Sequence, residues 1–228
     1  MDYIIEAFLG AFGLILSLDR EVFTIALFSL QVAGTATVLA TVIGVPLAYR
    51  IATRNFFGKQ AVLTIFNTLL ALPTVVVGLF CYAFLSRRGP LGFLDLLFTP
   101  SGMIIGDLIL ALPLIIALTI AAVNAVDPRA RLTARALGAN ARQTSWTVLL
   151  DARYALMAAV ISGFGRVLAE VGAATMLGGN IRGYTRTLTT AIALETSKGE
   201  FAFAMALGLI LLTLALLVNL LLRYLQEV

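Results

Sequence analysis

The sequence predicts an all-α integral membrane protein: five transmembrane helices, an N-terminal interfacial helix, and a helix-turn-helix loop on one membrane face. Composition is the first reason. The 228 residues are 61% hydrophobic and only 12% charged, and the mean hydropathy is +1.01. Soluble domains are roughly 45–50% apolar and 25% charged. Distribution is the second reason, because the charges gather in short segments between uncharged runs long enough to cross a bilayer, which takes ~20 apolar residues. The third is a single polar, basic insert, residues 127–153, between two such runs. The chain reads as one transmembrane domain over residues 1–228.

Residues 1–20 begin with Asp2 and Glu6 and then run uncharged from Ala7 to Leu18, too short to span, so an interfacial helix is expected. They lack the positive start and small-residue cleavage site of a signal peptide. The first span covers 22–49 and is flanked by Arg50, Arg54 and Lys59. The second covers 60–86, contains Leu72-Pro73 and ends at Arg87-Arg88. The third covers about 104–126, with its uncharged run between Asp107 and Asp127, and contains Leu112-Pro113. The words Leu70-Ala71-Leu72-Pro73 and Leu110-Ala111-Leu112-Pro113 repeat. An interior proline leaves a carbonyl unpaired, which membrane helices tolerate where protein or water satisfies it, so Pro73 and Pro113 are expected to face protein or a pathway.

The fourth span, 154–177, carries Arg166 and Glu170, four apart and therefore expected to pair on one helix face. Charges at membrane depth usually face the bundle interior, as a brace or a pathway lining. Ser162, Gly163, Gly165, Gly172, Ala173 and Ala174 make this span small-faced, which suits close packing or a narrow conduit. A glycine-rich polar loop, a short helical piece from 188 to about 195, and a fifth span at 201–222 complete the chain.

In the insert, Asp127-Pro128 starts a helix, since aspartate caps free N–H groups and proline needs no partner in the first turn. That helix should run to Leu137. Gly138 can take positive φ and stop it, and Asn140 with Gln143 forms the reciprocal capping box of a second helix. Leu132, Ala136 and Leu137 give the first piece an apolar stripe, while Arg129, Arg131, Arg135 and Arg142 supply charge. With 127–153 cytoplasmic, that side carries nine basic residues against six outside, which places the N-terminus outside and the C-terminus inside.

Several function classes lack their residues. The net charge of +4 is spread among loops and is explained by orientation, and no base-reading motif points to nucleic acid. Cys81 is the single cysteine and there is no histidine, so a thiolate cluster, the commonest metal ligand and the usual general base are missing. Gly58-Lys59 is followed by Gln60 and does not form a phosphate-cradling loop, so ATP hydrolysis, if used, belongs to a separate subunit. A channel would not need the structured insert. A membrane-embedded enzyme would need more than Asp107, Arg166 and Glu170.

Two stretches resemble a known family. Ala134-Arg135-Ala136-Leu137-Gly138-Ala139, with Val148 and Leu150 behind, is similar to the cytoplasmic coupling loop of ABC-importer permeases. It departs from the family pattern where Leu132-Thr133-Ala134 replaces Glu-Ala-Ala and Leu150-Asp151 replaces Leu-Pro. The run 166–174, followed by 178–192, resembles the molybdate/tungstate/sulfate branch of those permeases and looks nearest to tungstate permeases.

The resemblance implies a permease subunit for a tetrahedral oxyanion, tungstate first with molybdate or sulfate as alternatives, in the plasma membrane of a bacterium or archaeon. It implies a second copy, two cytoplasmic ATPase subunits that bind ATP and Mg, an external binding protein, and surrounding lipid. This chain would have no catalytic residue, cofactor or metal of its own. Arg131, Ala134, Arg135, Leu137, Gly138, Ala139 and Asn140 would couple to the ATPase, and Pro73, Pro113, Ser162, Arg166 and Glu170 are candidates for pathway or gate. On the outer loop with Asn180, Arg182 and Arg186 would either attract the oxyanion or pair with Glu195, Glu200 or acids of the binding protein.

Overall fold

The computed structural model describes residues 2–227, and within them the side chains other than those of residues 2–5, 7, 222 and 225–227. Every regular element in that range is helical. The helices are α1 (Asp2–Leu16), α2 (Arg20–Thr53), α3 (Lys59–Leu69), α4 (Thr74–Leu85), α5 (Pro100–Ala125) and α6 (Pro128–Ala136). They continue with α7 (Ala141–Asp151), α8 (Arg153–Leu168), α9 (Gly172–Gly178), α10 (Leu188–Lys198) and α11 (Phe201–Glu227).

Three of these, α2, α5 and α11, are each long and apolar enough to cross a membrane. The number reaches five when the bent pairs α3–α4 and α7–α8 are each taken as one crossing. The expected second span, interrupted by Leu72-Pro73, is not one helix. It is α3 and α4, which meet at 100° across 70–73, because Pro73 has no N–H to continue the ladder and instead sits as the N-cap of α4. The expected fourth span also divides, into α8 and α9, with residues 169–171 between them. Pro113, written in the same four-residue word as Pro73, stays buried inside the unbroken helix α5. α1 is about 22 Å long at 1.5 Å per residue. It packs on α11 closely enough that a side chain at Gly10 would come within 3.0 Å of Ala202 Cβ.

α5 is the central post and is packed by α2, α8, α9, α3 and α4. Ala33, Ala36, Ala40, Gly44 and Ala48 recur along α2 and are all buried, so its backbone approaches α5 closely. Ile115 of α5 is fully buried between α2 and α8: a Cβ on Gly44 would meet it at 3.3 Å and one on Gly163 at 2.8 Å. Hydroxyls of α2 donate to the carbonyl four residues back, as Ser29 does to Ile25 (2.8 Å) and Thr37 to Ala33 (2.7 Å), whereas Thr119 Oγ1 of α5 is buried without a hydrogen-bond partner among the described residues. α11, by contrast, leaves Leu212, Leu216, Leu217, Leu220 and Leu221 exposed for other surroundings to cover.

Candidate functional site

The insert folds as its residues direct. Asp127 Oδ1 accepts from the Arg129 N–H (2.8 Å) and Pro128 takes the first turn of α6. α6 ends at Ala136, and Gly138 has φ +85°, with the Gly138 and Ala139 N–H groups returning to the Arg135 and Ala134 carbonyls at 3.0 Å each. The capping box of α7 is complete. Asn140 Oδ1 accepts from Gln143 N–H (2.9 Å), and Gln143 Oε1 accepts from Asn140 N–H (2.8 Å). α6 and α7 pack as a hairpin, anchored to the bundle by buried Thr144 and Val148.

The opposite surface of the hairpin is apolar and open. Leu137 is 83% exposed, Leu132 and Trp146 are each 65% exposed, and Leu150 is exposed as well. Arg135 and Asn140 are exposed, while Arg131, Ala134 and Ala139 are half-buried. Trp146 was not among the expected coupling residues, although it is the only tryptophan in the chain and lies in its most polar segment. Val148 and Leu150 share the family pattern but face opposite ways, one into the bundle and one out.

The two helix breaks face each other. An Arg166 Nη2 donates across from α8 to the Leu72 carbonyl in the first break (3.4 Å). Behind it, α4 and α9 are in backbone contact: a Cβ on Gly78 would lie 2.8 Å from Ala173 Cα, and one on Gly172 would lie 2.9 Å from Val75 Cγ2. Glu170 does not pair with Arg166. The helix stops between them, so the four-residue register is lost, and Glu170 Oε1, from the residue before the N-cap Val171, instead accepts from the Ala173 N–H in the first turn of α9 (2.9 Å). The Glu170 carbonyl accepts from Thr189 Oγ1. Asp107 of α5 is buried within the electrostatic reach of Glu170, and its Oδ1 has no hydrogen-bond partner among the described residues. Ser162 is exposed on α8 and lines a cavity of about 370 Å³ against α11, with Gly165, Ala169 and Asn219.

The loop over 178–187 is not an open positive field. Arg182 Nε donates to Glu21 Oε1 (2.7 Å) and its Nη2 donates to the other carboxylate oxygen. Arg186 is 9% exposed and its Nη1 lies 3.3 Å from Glu195 Oε1 and 3.7 Å from Glu21 Oε1. Lys198 Nζ donates to Glu195 Oε1 (3.0 Å). The hydrogen bond and charge of Glu21 raise the Arg182 guanidinium still further above its ordinary value. Of the partners expected for these arginines, Arg186 has Glu195, whereas Arg182 pairs instead with Glu21, 161 residues distant from it in sequence. Asn180, at φ +50°, clasps Thr190: its Nδ2 donates to the Thr190 carbonyl (3.2 Å) and its Oδ1 accepts from Thr190 Oγ1 (3.1 Å). Its side chain serves the loop's own shape.

Residues 22–227 match the family described as the binding-protein-dependent transport system inner membrane component. A tungstate uptake system permease protein of Peptoclostridium acidaminophilum is 38% identical over 227 residues, covering 100% of both chains. The tungstate uptake system permease protein of Campylobacter jejuni subsp. jejuni is 39% identical over 96% of this chain and 92% of its own. A probable anion ABC transporter permease protein of Haloferax volcanii is 40% identical over 86% of this chain and 87% of its own. Permeases named for molybdenum and sulfate transport are more distant. The chain belongs to the binding-protein-dependent transport system inner membrane components, as an ABC-importer permease of the tungstate/molybdate branch.

Proposed function

We propose that this chain is the permease of an ATP-driven importer of tungstate, acting as two copies with two ATPase subunits and an external binding protein. An importer permease of this class works with an ATPase and a binding protein in a multi-pass membrane setting. The finer reading is five crossings with the N-terminus outside and the C-terminus cytoplasmic. ATP and Mg are bound in the ATPase subunits, and this chain carries no catalytic step.

The observation that carries the coupling role is the rigid, doubly capped α6–α7 hairpin with Leu132, Leu137, Trp146 and Leu150 uncovered on it. Large apolar side chains clustered on a polar hairpin suit a protein groove. Arg131, Ala134, Arg135, Leu137, Gly138, Ala139 and Asn140 lie on or beside that surface. The facing breaks serve as the gate, with Pro73, Arg166 and Glu170 at its hinges, and Ser162 and Pro113 lie along the pathway. Tungstate is favoured over molybdate or sulfate because relatives named for tungstate uptake match end to end.

The test is uptake into proteoliposomes that hold the whole complex, with competing oxyanions. ATP-dependent tungstate uptake that molybdate and sulfate inhibit only weakly is the expected result. Equal inhibition by either would remove the tungstate assignment, and uptake without ATP would favour a channel.

A further inference from the structure

The end of the bundle that carries the α6–α7 hairpin holds a cavity of about 390 Å³ walled by α2, α6 and α7. Four arginines line it. Arg50 and Arg54 are one helical turn apart at the end of α2, and Arg131 and Arg135 are one turn apart on α6. No carboxylate lines the cavity, and none of the four guanidiniums has a hydrogen bond or an ion pair among the described residues. Asp127 borders the adjoining cavity, but it is engaged in capping α6.

Helix dipoles account for part of these charges, since Arg50 lies in the last turn of α2 and Arg135 in that of α6. The side-chain bond to a carbonyl at the end of α2 comes from Lys59, whose Nζ donates to the Ala52 carbonyl (2.8 Å), and the guanidiniums of Arg50 and Arg54 donate to no carbonyl among the described residues. The first turn of α7 opens on the same space through Ala141, which adds the positive end of a helix dipole. Like charges gathered at one point repel, and an anion at the centre converts that repulsion into attraction. The planar guanidinium fork matches a tetrahedral oxyanion through paired N–H donors. Arg50 also lies in the last turn of a helix long and apolar enough to cross a membrane, and basic residues that flank such a helix attract anionic headgroups.

We propose that this cavity binds a phosphate-class tetrahedral anion, presented either as an anionic phospholipid headgroup or free in solution. The experiment uses the intact importer in nanodiscs of phosphatidylcholine alone or with phosphatidylglycerol. Native mass spectrometry reads retained phosphatidylglycerol, and radiolabelled inorganic phosphate is titrated into the phosphatidylcholine discs. Each arginine facing an anionic surface is worth a factor of roughly five in affinity, so Arg50→Gln with Arg54→Gln weakens binding about 25-fold. Arg50→Lys with Arg54→Lys keeps the charges without the forks and falls between. Arginine-dependent retention of phosphatidylglycerol without phosphate binding assigns the lipid, and arginine-dependent phosphate binding assigns the soluble anion. If the Gln variant does not fold, the Lys variant and release of the ligand by high salt give the same reading. Wild-type protein that holds neither ligand, or variants that hold it as the wild type does, would overturn the proposal.

Discussion

Two basic clusters of this protein handle arginine in opposite ways. At the outer loop, Arg182, Arg186 and Lys198 each meet a carboxylate from Glu21 or Glu195, drawn from α2 and α10. At the hairpin end, Arg50, Arg54, Arg131 and Arg135 meet none, and large apolar side chains are left open beside them. The cluster around Glu21 and Glu195 is satisfied within one chain and so holds its own shape, whereas the four hairpin-end arginines have no partner among the described residues and the apolar side chains beside them stay open. A region whose charges and apolar groups are both unmet is built for contact.

The largest effect should come from breaking the satisfied end. Arg186 is almost buried, so Glu195→Gln leaves a guanidinium and Lys198 without their main partner. A destabilisation of about 3 kcal/mol follows, read from chemical or thermal unfolding in detergent. Glu21 lies 3.7 Å from Arg186 and can take over part of the role, so the loss in the double variant with Glu21→Gln should exceed the sum of the two single changes. Additive behaviour would mean that the cluster is not one network.

Next in size is the unmet end. Leu137→Ala and Trp146→Ala should leave folding stability within about 0.5 kcal/mol, because both side chains are exposed. They should nevertheless weaken ATPase binding by about 2 kcal/mol each if they are anchors of that interface. The check is affinity for the ATPase alongside unfolding of the free permease. A loss of stability with unchanged affinity would reverse the contrast between the two ends.

Gly138→Val sharpens the same comparison at a single backbone position. Nothing lies within 4 Å of an added Cβ, so only the φ of +85° opposes it, at a cost of about 1–2 kcal/mol to the hairpin. The expected readout is ATP hydrolysis poorly coupled to uptake, with the membrane helices intact by circular dichroism.

The smallest effect lies between the two ends. Arg166 donates to the Leu72 carbonyl and Glu170 accepts from the first turn of α9, so they share no partner. A cycle of Arg166→Leu, Glu170→Gln and the double change should give a coupling below about 0.5 kcal/mol. Strong coupling would mean that the pair forms in another state of the gate.

Much of this was legible from the residues alone. The apolar runs located α2, α5 and α11, and the hairpin followed from Asp127, Pro128, Gly138, Asn140 and Gln143, because hydropathy and capping act within four residues of where they are written. The fate of the prolines was not legible. Pro73 and Pro113 stand in identical words, yet one starts a new helix at a 100° bend and the other stays inside α5. The outcome depends on what packs against each, and α4 is held where its Gly78 meets α9 backbone. The division of α8 from α9, which parts Arg166 from Glu170, is bound to the same long-range contact. So is the identity of ionic partners, since Glu21 reaches Arg182 only when α2 and the outer loop are brought together. Local capping and hydropathy set where most helices lie and how the α6–α7 hairpin begins and ends. Long-range packing set where the crossing helices break and which charges are neutralised, because those depend on close approaches between residues far apart in the chain.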